Sequence, residues 1–192
     1  MKSRKSQSQR REETRQKVLD SACRLFGSKG YEQTSLEDIA GDCGVTVTPV
    51  YHYFGNKLQL FAEANAVMEQ RLVALLDSVA EQQPLDIHQA WQAFMALCQQ
   101  PGFARIVLID APHVLGRDRW KESPVVARAS DILQSPAVSA SLLGKLGDKD
   151  RELIMRMLMA ALAEAALMAG SDPDYDNSPL VDSLLSTLIT TT

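Results

Sequence analysis

Residues 34–57 constrain the fold of this chain more than any other segment. Two short helical patterns meet there at Gly44 and Val45, and the second pattern ends in an aromatic run that reaches Phe54. A helix, a tight turn and a second helix form the helix-turn-helix, whose second helix enters the major groove of DNA. The segment therefore predicts packed helices and makes double-stranded DNA the leading candidate partner.

Helical spacing of apolar residues continues through the rest of the chain. Besides a short helix capped by Thr34 or Ser35, it predicts helices at about 9–28, 47–53, 57–82, 86–99, 102–115, 120–134, 149–169 and 177–190. The apolar run 106–109 could be a strand, but no partner strand is visible. The predicted fold is all-α, with about nine helices. No apolar run reaches the ~18 residues that span a bilayer, and the basic, polar N-terminus is unlike a secretory signal, so a cytoplasmic protein is expected.

Charge is divided unevenly along the chain. The net charge is −4, but residues 1–60 carry +3 and residues 61–192 carry −7. Five basic side chains and no acidic ones lie within the first 11 residues. A small basic part joined to a larger acidic part favours a polyanion-binding head on an acidic body.

Nine side chains within 34–57 are suited to contacts with DNA. They are Thr34, Ser35, Thr46, Val47, Thr48, Tyr51, His52, Tyr53 and Lys57. The threonine and valine methyls at the start of the second helix can pack on thymine methyls, because that end of a recognition helix faces the bases. The tyrosine hydroxyls and Lys57 can bind phosphate oxygens, and Thr34 or Ser35 would contact the DNA backbone. Phe54 is expected in the core, and His52 is left between a base contact and plain solvent exposure.

These residues and their neighbours resemble the DNA-binding domain of the TetR (tetracycline-repressor-like) family. The resemblance runs from Arg15 to about Leu60 and includes Ala22, Leu25 and Phe26, Gly30 and Tyr31, Thr34 and Ser35, Asp38-Ile39-Ala40, Gly44-Val45, Tyr51-His52-Tyr53-Phe54 and Lys57. It implies a homodimeric regulator, usually a repressor, that binds a palindromic operator. With the Ser/Gln/Lys/Arg-rich start, it divides the chain into a flexible basic tail (1–8), a helix-turn-helix DNA-binding head (9–56) and a larger helical effector-binding and dimerisation domain (57–192).

The resemblance also assigns roles to single positions. It places base contacts at Val47 and Thr48 and phosphate contacts at Tyr51, Tyr53 and Lys57. His52 stands where some family members touch bases. The chain departs from the family pattern at Thr48, where many relatives carry a smaller residue, and at Pro49, where they carry alanine or threonine. Because proline has no N–H, Pro49 cannot donate a hydrogen bond to phosphate.

The last two predicted helices are apolar enough to face two neighbours at once. Residues 149–169 are apolar on nearly every side, and 179–189 carry a second apolar stripe. Two such helices from each subunit would form a four-helix dimer interface, with Leu158, Ala161, Leu162, Ala165, Leu184 and Leu188 assigned to it. The alternative is that both helices are only intramolecular core. Glu164 is expected to edge into solvent, to pair across the interface or to face a ligand cavity.

An apolar small-molecule effector is the expected ligand of the larger domain, because ligand cavities are mostly apolar with a few polar groups. The candidate lining residues are Met68, Leu72, Trp91, Phe94, Met95, Cys98, Ile109, His113, Met155 and Met159. Plain core packing is the alternative for each of them. No cofactor or metal is predicted, because Asp110 and His113 offer only two ligands. Cys23, Cys43 and Cys98 lack metal-binding spacing and are expected to be reduced fillers, with a redox pair as the alternative.

Three functions fit these patterns to different degrees. The leading one is a ligand-responsive dimeric repressor, in which the effector favours a spacing of the two heads that no longer matches half-sites one helical turn apart. The second is a DNA-binding protein without effector control. The third is an all-α enzyme built on Asp110 and His113. It is the weakest, because the chain has no Gly-x-Ser-x-Gly, His-Glu-x-x-His or phosphate-loop motif.

Overall fold

The computed structural model of the 192-residue chain describes residues 6–82, 86–116, 123–134, 146–172 and 174–189. Within these ranges the chain forms nine α-helices and one π-helix, and no strand. The α-helices are α1 (Gln7–Lys29), α2 (Leu36–Asp42), α3 (Val47–Phe54), α4 (Lys57–Ala80), α5 (Ile87–Cys98), α6 (Ala111–Val114), α7 (Pro124–Leu133), α8 (Asp148–Ser171) and α9 (Ser178–Ile189). The π-helix covers Ala104–Asp110, between α5 and α6. The all-α prediction is confirmed.

The chain divides into two compact units that differ from the predicted domains. The first unit contains the residues up to Met68 and the segment from Pro101 into α6, and the second contains Glu69–Gln100 and the described residues from Ser123 onward. The predicted boundary at residue 57 falls at the start of α4, a continuous helix that contributes residues to both units. The segment from Pro101 was expected in the larger domain, yet it packs with the head.

Helix α1 begins earlier than its apolar pattern predicted. Ser6 caps it in a reciprocal arrangement: the Ser6 hydroxyl accepts from the Gln9 N–H at 3.1 Å, and the Gln9 side-chain oxygen accepts from the Ser6 N–H at 2.8 Å. The predicted flexible tail included residues 6–8, but these residues form the N-cap and the first residues of α1; residues 1–5 lie outside the described residues. Gly30 ends the helix with a φ of 83°, which glycine adopts readily.

Four helices and the π-helix share the core of the first unit. Phe26 of α1 meets Phe61 of α4 edge to face, with ring centroids 5.1 Å apart. Ile39 of α2 and Phe54 of α3 are buried in the same unit, and Phe54 has only 4% of its surface exposed. The core position predicted for Phe54 is thus confirmed. Burial of this kind stabilises a fold by about 25 cal/mol per Å² of apolar surface.

Three contacts attach the π-helix and the turn before it to the end of α1. The backbones approach so closely at Gly27 and Gly102 that a Cβ on Gly27 would lie 2.5 Å from the Gly102 Cα. The Arg105 guanidinium, at the end of a flexible side chain, lies where a Cβ on Gly30 would be. The N–H of Tyr31 donates to the carboxylate of Asp110 at 2.7 Å. The helix predicted at 102–115 is therefore a π-helix followed by a short α-helix, held against α1.

The second unit is joined by polar contacts between its helices. Arg128 of α7 pairs with Asp77 of α4, and His88 of α5 lies 2.7 Å from the Asp182 carboxylate of α9. The Asn177 side-chain amide donates to the Ala165 carbonyl at 2.7 Å. Helix α7 starts at Pro124, after its N-cap residue Ser123. The first residues of the helix predicted at 120–134 lie outside the described residues.

Helix α8 is long and apolar enough to cross a membrane by length and composition, although no such segment was expected from the sequence. Only 11% of its most apolar stretch is buried within the chain. Met155 is buried and packs with Leu158 and Leu188, among other neighbours. Among the described residues, half of α8 is exposed, and most of the other half is only partly buried.

Candidate nucleic-acid interface

Helix α3 presents one face outward because its other face is anchored in the core. Val50 and Phe54, four residues apart, are buried and fix the rotation of the helix. Thr48 is exposed and Val47 is half-buried at the first turn. Thr46 is the N-cap residue, but its side chain makes no capping hydrogen bond. The N-terminal turn thus offers small side chains of the kind that can approach bases in the major groove.

The aromatic residues of α3 separate into core and surface. Tyr51 has 50% of its surface exposed, His52 is also exposed, and Tyr53 is half-buried. The rings of His52 and Tyr53 meet edge to face with centroids 5.3 Å apart. The imidazole of His52 therefore lies on the outer surface of the helix.

A groove of about 390 Å³ lies beside this helix. Thr34, Ser35, Tyr51 and Lys57, four of the residues predicted to contact the DNA backbone, line it together with the acidic residues Glu32, Glu37 and Asp38. The Ser35 hydroxyl accepts the Asp38 N–H at 3.0 Å as the N-cap of α2. The Asp38 carboxylate accepts the Ser35 N–H at 3.0 Å in return, and this bond, followed by one from the Ser35 side chain, lowers the pKa of Asp38.

Lys57 is held at the edge of the groove by the ring of Tyr31. The Lys57 ammonium lies 4.2 Å from the centroid of that ring and 3.5 Å from the carbonyl oxygen of Glu32. Burial, and then the charge of Glu32, raises the pKa of Tyr31, so the phenol stays neutral. Tyr31 appeared in the sequence only as part of the family pattern. Its contact with Lys57, 26 positions away, left no local signal.

The structure corrects the prediction for Thr34. Its side chain is buried, with 1% of the residue exposed, and its hydroxyl donates to the Gly30 carbonyl at 2.8 Å. A hydroxyl in this position holds the turn before α2 and does not reach a ligand. Ser35, the next residue, is the N-cap and lines the groove.

The head also contains a polar network that the sequence did not reveal. Asp42, at the end of α2, accepts hydrogen bonds from Ser21 and Arg24 of α1. The Ser21 hydrogen bond is the main reason that the pKa of Asp42 is lowered. Arg15 of α1 lies over the Phe54 ring, 5.0 Å from its centroid, and pairs with Glu63 of α4. These contacts tie α1 to α2, α3 and α4.

The residues predicted to line an effector pocket are divided between the two units. Ile109 and His113 are exposed on the first unit and are not grouped with the apolar residues of the second, so the prediction for these two is wrong. Met68 is buried at the end of the first unit. Leu72, Trp91, Phe94, Met95, Cys98, Met155 and Met159 are buried or half-buried in the second unit.

Trp91 is the most informative of these residues. It is buried beside Phe94, yet its indole N–H has no acceptor among the described residues. A buried donor without a partner is uncommon and calls for an explanation. Burial raises the pKa of the Cys98 thiol to about 12, so this cysteine is protonated and unreactive.

The predicted dimer residues also differ in exposure. Ala161 and Leu184 are exposed, and Leu162 and Ala165 are half-buried. Leu158 and Leu188 pack on Met155 within their own chain. Glu164 is exposed, which matches the first of the three outcomes expected for it.

No group of three potential metal ligands occurs within the described ranges. Asp110, one of the two residues considered for catalysis or metal binding, is committed to other partners. Its carboxylate accepts from the Tyr31 N–H and pairs with Arg105 at 3.3 Å. His113 is exposed. Neither residue forms a site of the expected kind.

The helix-turn-helix head and the all-helical body define a class of DNA-binding transcriptional regulators. The family model described as "Bacterial regulatory proteins, tetR family" matches residues 18–64, and "Tetracyclin repressor-like, C-terminal domain" matches residues 86–189. The chain therefore belongs to the TetR family of transcriptional regulators, and the predicted resemblance is confirmed. Members of this family are regulators and not enzymes, so the enzyme alternative is excluded.

Individual relatives agree with this assignment. The chain is 42% identical to the HTH-type transcriptional regulator AcrR of Shigella flexneri over 64 residues, which cover 33% of this chain and 30% of AcrR. A tetR family transcription regulator from Shewanella sp. PV-4 has a similar fold, with a TM-score of 0.71 at 17% identity over 89% of this chain and 95% of that one. NalD of Pseudomonas aeruginosa, the secondary repressor of the MexAB-OprM multidrug efflux pump, gives a TM-score of 0.63 at 24% identity, over 93% and 98% of the two chains.

Proposed function

We propose that this chain is a homodimeric repressor that binds a palindromic operator and is released from it by a small-molecule effector. The observation that carries the DNA-binding part is the orientation of α3. Its buried residues Val50 and Phe54 leave Thr46, Thr48 and His52 outward at the end and face that can approach bases. Family membership supports the regulatory role.

Phosphate contacts are proposed for the residues around the groove. Ser35, Tyr51 and Lys57 line it, and Tyr53 lies close by on α3. Hydroxyl and ammonium groups bind phosphate oxygens and fix the register of a protein on the duplex. We assign base contacts to Val47, Thr48 and His52. Val47 and Thr48 precede the tyrosines assigned to phosphate, and His52 lies between them in the sequence.

A homodimer is proposed because apolar side chains of α8 and α9 are exposed in the single chain. Met157 and Leu180 have 61% and 66% of their surface exposed, and Leu153, Met168 and Leu184 are exposed as well. Several large apolar side chains left exposed on two helices favour an interaction site. A second copy of the chain would cover these side chains and place two heads on adjacent half-sites.

An effector site is proposed in the second unit, around Trp91. The indole N–H is buried without an acceptor among the described residues, and the neighbouring candidates Phe94, Met95 and Cys98 lie on the same helix. An apolar ligand with one hydrogen-bond acceptor would satisfy that donor. Mass spectrometry of compounds that copurify with the protein tests this site, and Trp91→Phe should weaken their retention while keeping most of the packing.

The experiment that tests DNA binding uses a duplex that the protein itself selects from a random-sequence library. Binding is measured by gel shift at increasing salt. Only cationic side chains release counterions, so the two Lys57 groups of a dimer predict a logarithmic salt slope of about −2 from these contacts, at roughly −0.9 per neutralised phosphate. Absence of a selected sequence, or binding that does not weaken with salt, would overturn the proposal.

A further inference from the structure

We propose that Tyr31 and Asp110 are positioning residues for DNA binding, which hold the Lys57 ammonium where it meets a phosphate. The proposal rests on the phosphate contact assigned to Lys57 above. It adds two residues outside the recognition helix, one of them in the π-helix, to the set that determines affinity for DNA. Each link between Asp110 and Lys57 is a direct contact within the first unit.

The first link is the cation–π contact between Lys57 and Tyr31. A lysine side chain has several rotatable bonds, and fixing it on a phosphate costs conformational entropy. The Tyr31 ring lies 4.2 Å from the Lys57 ammonium and limits its positions before DNA arrives. The Glu32 carbonyl, 3.5 Å away, gives the ammonium a second neighbour. The remaining ammonium protons can still be donated to a phosphate.

The second link fixes the ring of Tyr31 itself. Phe61 meets it edge to face at 5.0 Å, and Phe26 stacks on it at 5.9 Å. Phe26 and Phe61 are fully buried, so the ring of Tyr31 packs on the core of the head. This packing restricts the orientation of the ring face that meets Lys57.

The third link fixes the backbone of Tyr31. Its N–H donates to the Asp110 carboxylate at 2.7 Å, and Arg105 holds that carboxylate at 3.3 Å. The Asp110 side chain is only 11% exposed, so the hydrogen bond is sheltered from water. A charge-assisted bond of this kind is among the stronger hydrogen bonds in proteins. Because Tyr31 directly follows Gly30, this bond restrains a residue next to a flexible position.

The test is a double-mutant cycle on the full-length protein, with the selected duplex as the probe. Tyr31→Leu removes the aromatic face, and Lys57→Met removes the cation. Tyr31→Leu should weaken binding about fivefold in the presence of Lys57 and have no further effect in the Lys57→Met background. Lys57→Met should also reduce the salt slope by about 1 per protomer, since each phosphate contributes roughly 0.9.

Two further variants separate positioning from folding. Tyr31→Phe, which keeps the ring, should restore the coupling with Lys57 that Tyr31→Leu abolishes. Asp110→Ala should weaken binding only when Lys57 is present, while Asp110→Asn, which still offers an acceptor oxygen, should lose less. Tyr175→Leu, at an exposed tyrosine of the second unit, is the control for loss of an aromatic side chain. Thermal unfolding of each variant identifies any that fail to fold.

The outcomes distinguish this inference from the proposed function. If Tyr31→Leu weakens binding by the same factor with and without Lys57, the ring acts only on the fold and the positioning role is overturned. If Lys57→Met leaves both affinity and salt slope unchanged, the phosphate contact itself is wrong, and the inference fails with it. If Tyr31→Leu weakens binding only in the protein that retains Lys57, the positioning role is supported.

Discussion

Two aromatic residues on one helix have opposite roles at the residue scale. Phe54 is buried beneath Arg15, whereas Tyr51, one turn earlier, is half-exposed and lines the groove. An α-helix has about 3.6 residues per turn, so side chains three residues apart point to neighbouring but different parts of its surface. Stability and DNA binding can therefore be separated by substitution at neighbouring positions.

Phe54→Ala should lower the free energy of unfolding by about 3–5 kcal/mol, because it leaves a cavity in the head and removes the ring under Arg15. Chemical denaturation followed by circular dichroism measures this loss. Tyr51→Phe is the matched comparison: it should change stability by less than about 0.5 kcal/mol but weaken DNA binding. Equal destabilisation by both variants would contradict the division of roles.

His88 makes the stability of the second unit depend on pH. The hydrogen bond with Asp182, and then its charge, raises the pKa of His88 above its ordinary value of 6.5, and Asp86 and Asp176 act in the same direction. A raised folded-state pKa stabilises the fold below the unfolded-state value, and this stabilisation disappears as pH rises through the folded-state pKa. His88→Ala should therefore destabilise the protein more at about pH 5.5 than at about pH 9.

Denaturant midpoints at the two pH values measure this difference. Asp182→Asn should reproduce it, because it removes the acceptor that holds the imidazolium. His113→Ala is the control, since His113 is exposed and belongs to the first unit. A loss from His88→Ala that is constant with pH would show that the imidazole contributes only packing.

At the scale of elements, the sequence located the helices better than it located their contacts. Helices α1 to α5 were predicted to within a few residues, because caps and apolar spacing are local signals. The π-helix was not predicted, since seven residues are too few to distinguish its period from that of an α-helix. The bond between Asp110 and Tyr31 joins positions 79 apart in the chain, and neither residue type indicates its partner.

In the candidate site, too, the sequence predicted local features better than contacts between distant residues. Eight of the nine residues predicted to contact DNA lie at or near the surface of the head, because recognition follows from the local order of α2 and α3. Thr34 was placed wrongly, since a threonine before a helix can turn inward or outward and only the tertiary structure decides. Ile109 and His113 were misplaced because the segment from Pro101 packs with the head.

Because α1 packs closely against the turn before the π-helix, one methyl group added to α1 at this contact should lower the stability of the protein. Gly27→Ala would place a Cβ 2.5 Å from the Gly102 Cα, and it should cost about 1–3 kcal/mol as the backbones move apart. Gly41→Ala is the matched control within α2, since no atom lies within 4 Å of the added Cβ. It should stabilise the helix by about 0.5–1 kcal/mol.

Thermal and chemical unfolding of both glycine variants decide this prediction. The packing contact would be ruled out if Gly27→Ala and Gly41→Ala changed stability in the same direction. DNA binding by Gly27→Ala at a temperature where it is folded adds a second readout, because the displaced segment carries Asp110.

At the scale of the whole molecule, the exposed apolar residues of α8 are the basis of the proposed dimer. One helix that is long and apolar enough for a membrane can equally be an interface helix, and half of its residues are exposed among the described ones. Residues 61–192 carry −7 and residues 1–60 carry +3. Two heads in one assembly would share a single negatively charged ligand, the duplex.

Met157→Glu should shift the protein from dimer to monomer, because it places a charge at the centre of the proposed interface. Sedimentation velocity measures the association state, and gel shift should reveal weaker binding to the selected duplex. Lys149→Glu, an exposed substitution in the first turn of α8, is the control. A Met157→Glu protein that remains dimeric would place the interface elsewhere.

The π-helix makes the head sensitive to the length of one short segment. A π-helix closes its hydrogen bonds over one residue more than an α-helix does. A residue deleted within Ala104–Asp110 can be absorbed if the segment becomes an ordinary α-helix, and the residues on either side then keep nearly the same orientation. A residue inserted there cannot be absorbed in this way and would rotate the residues that follow by roughly 100°. An insertion before Asp110 should therefore turn its carboxylate away from Tyr31 and weaken DNA binding, whereas a single deletion should be tolerated.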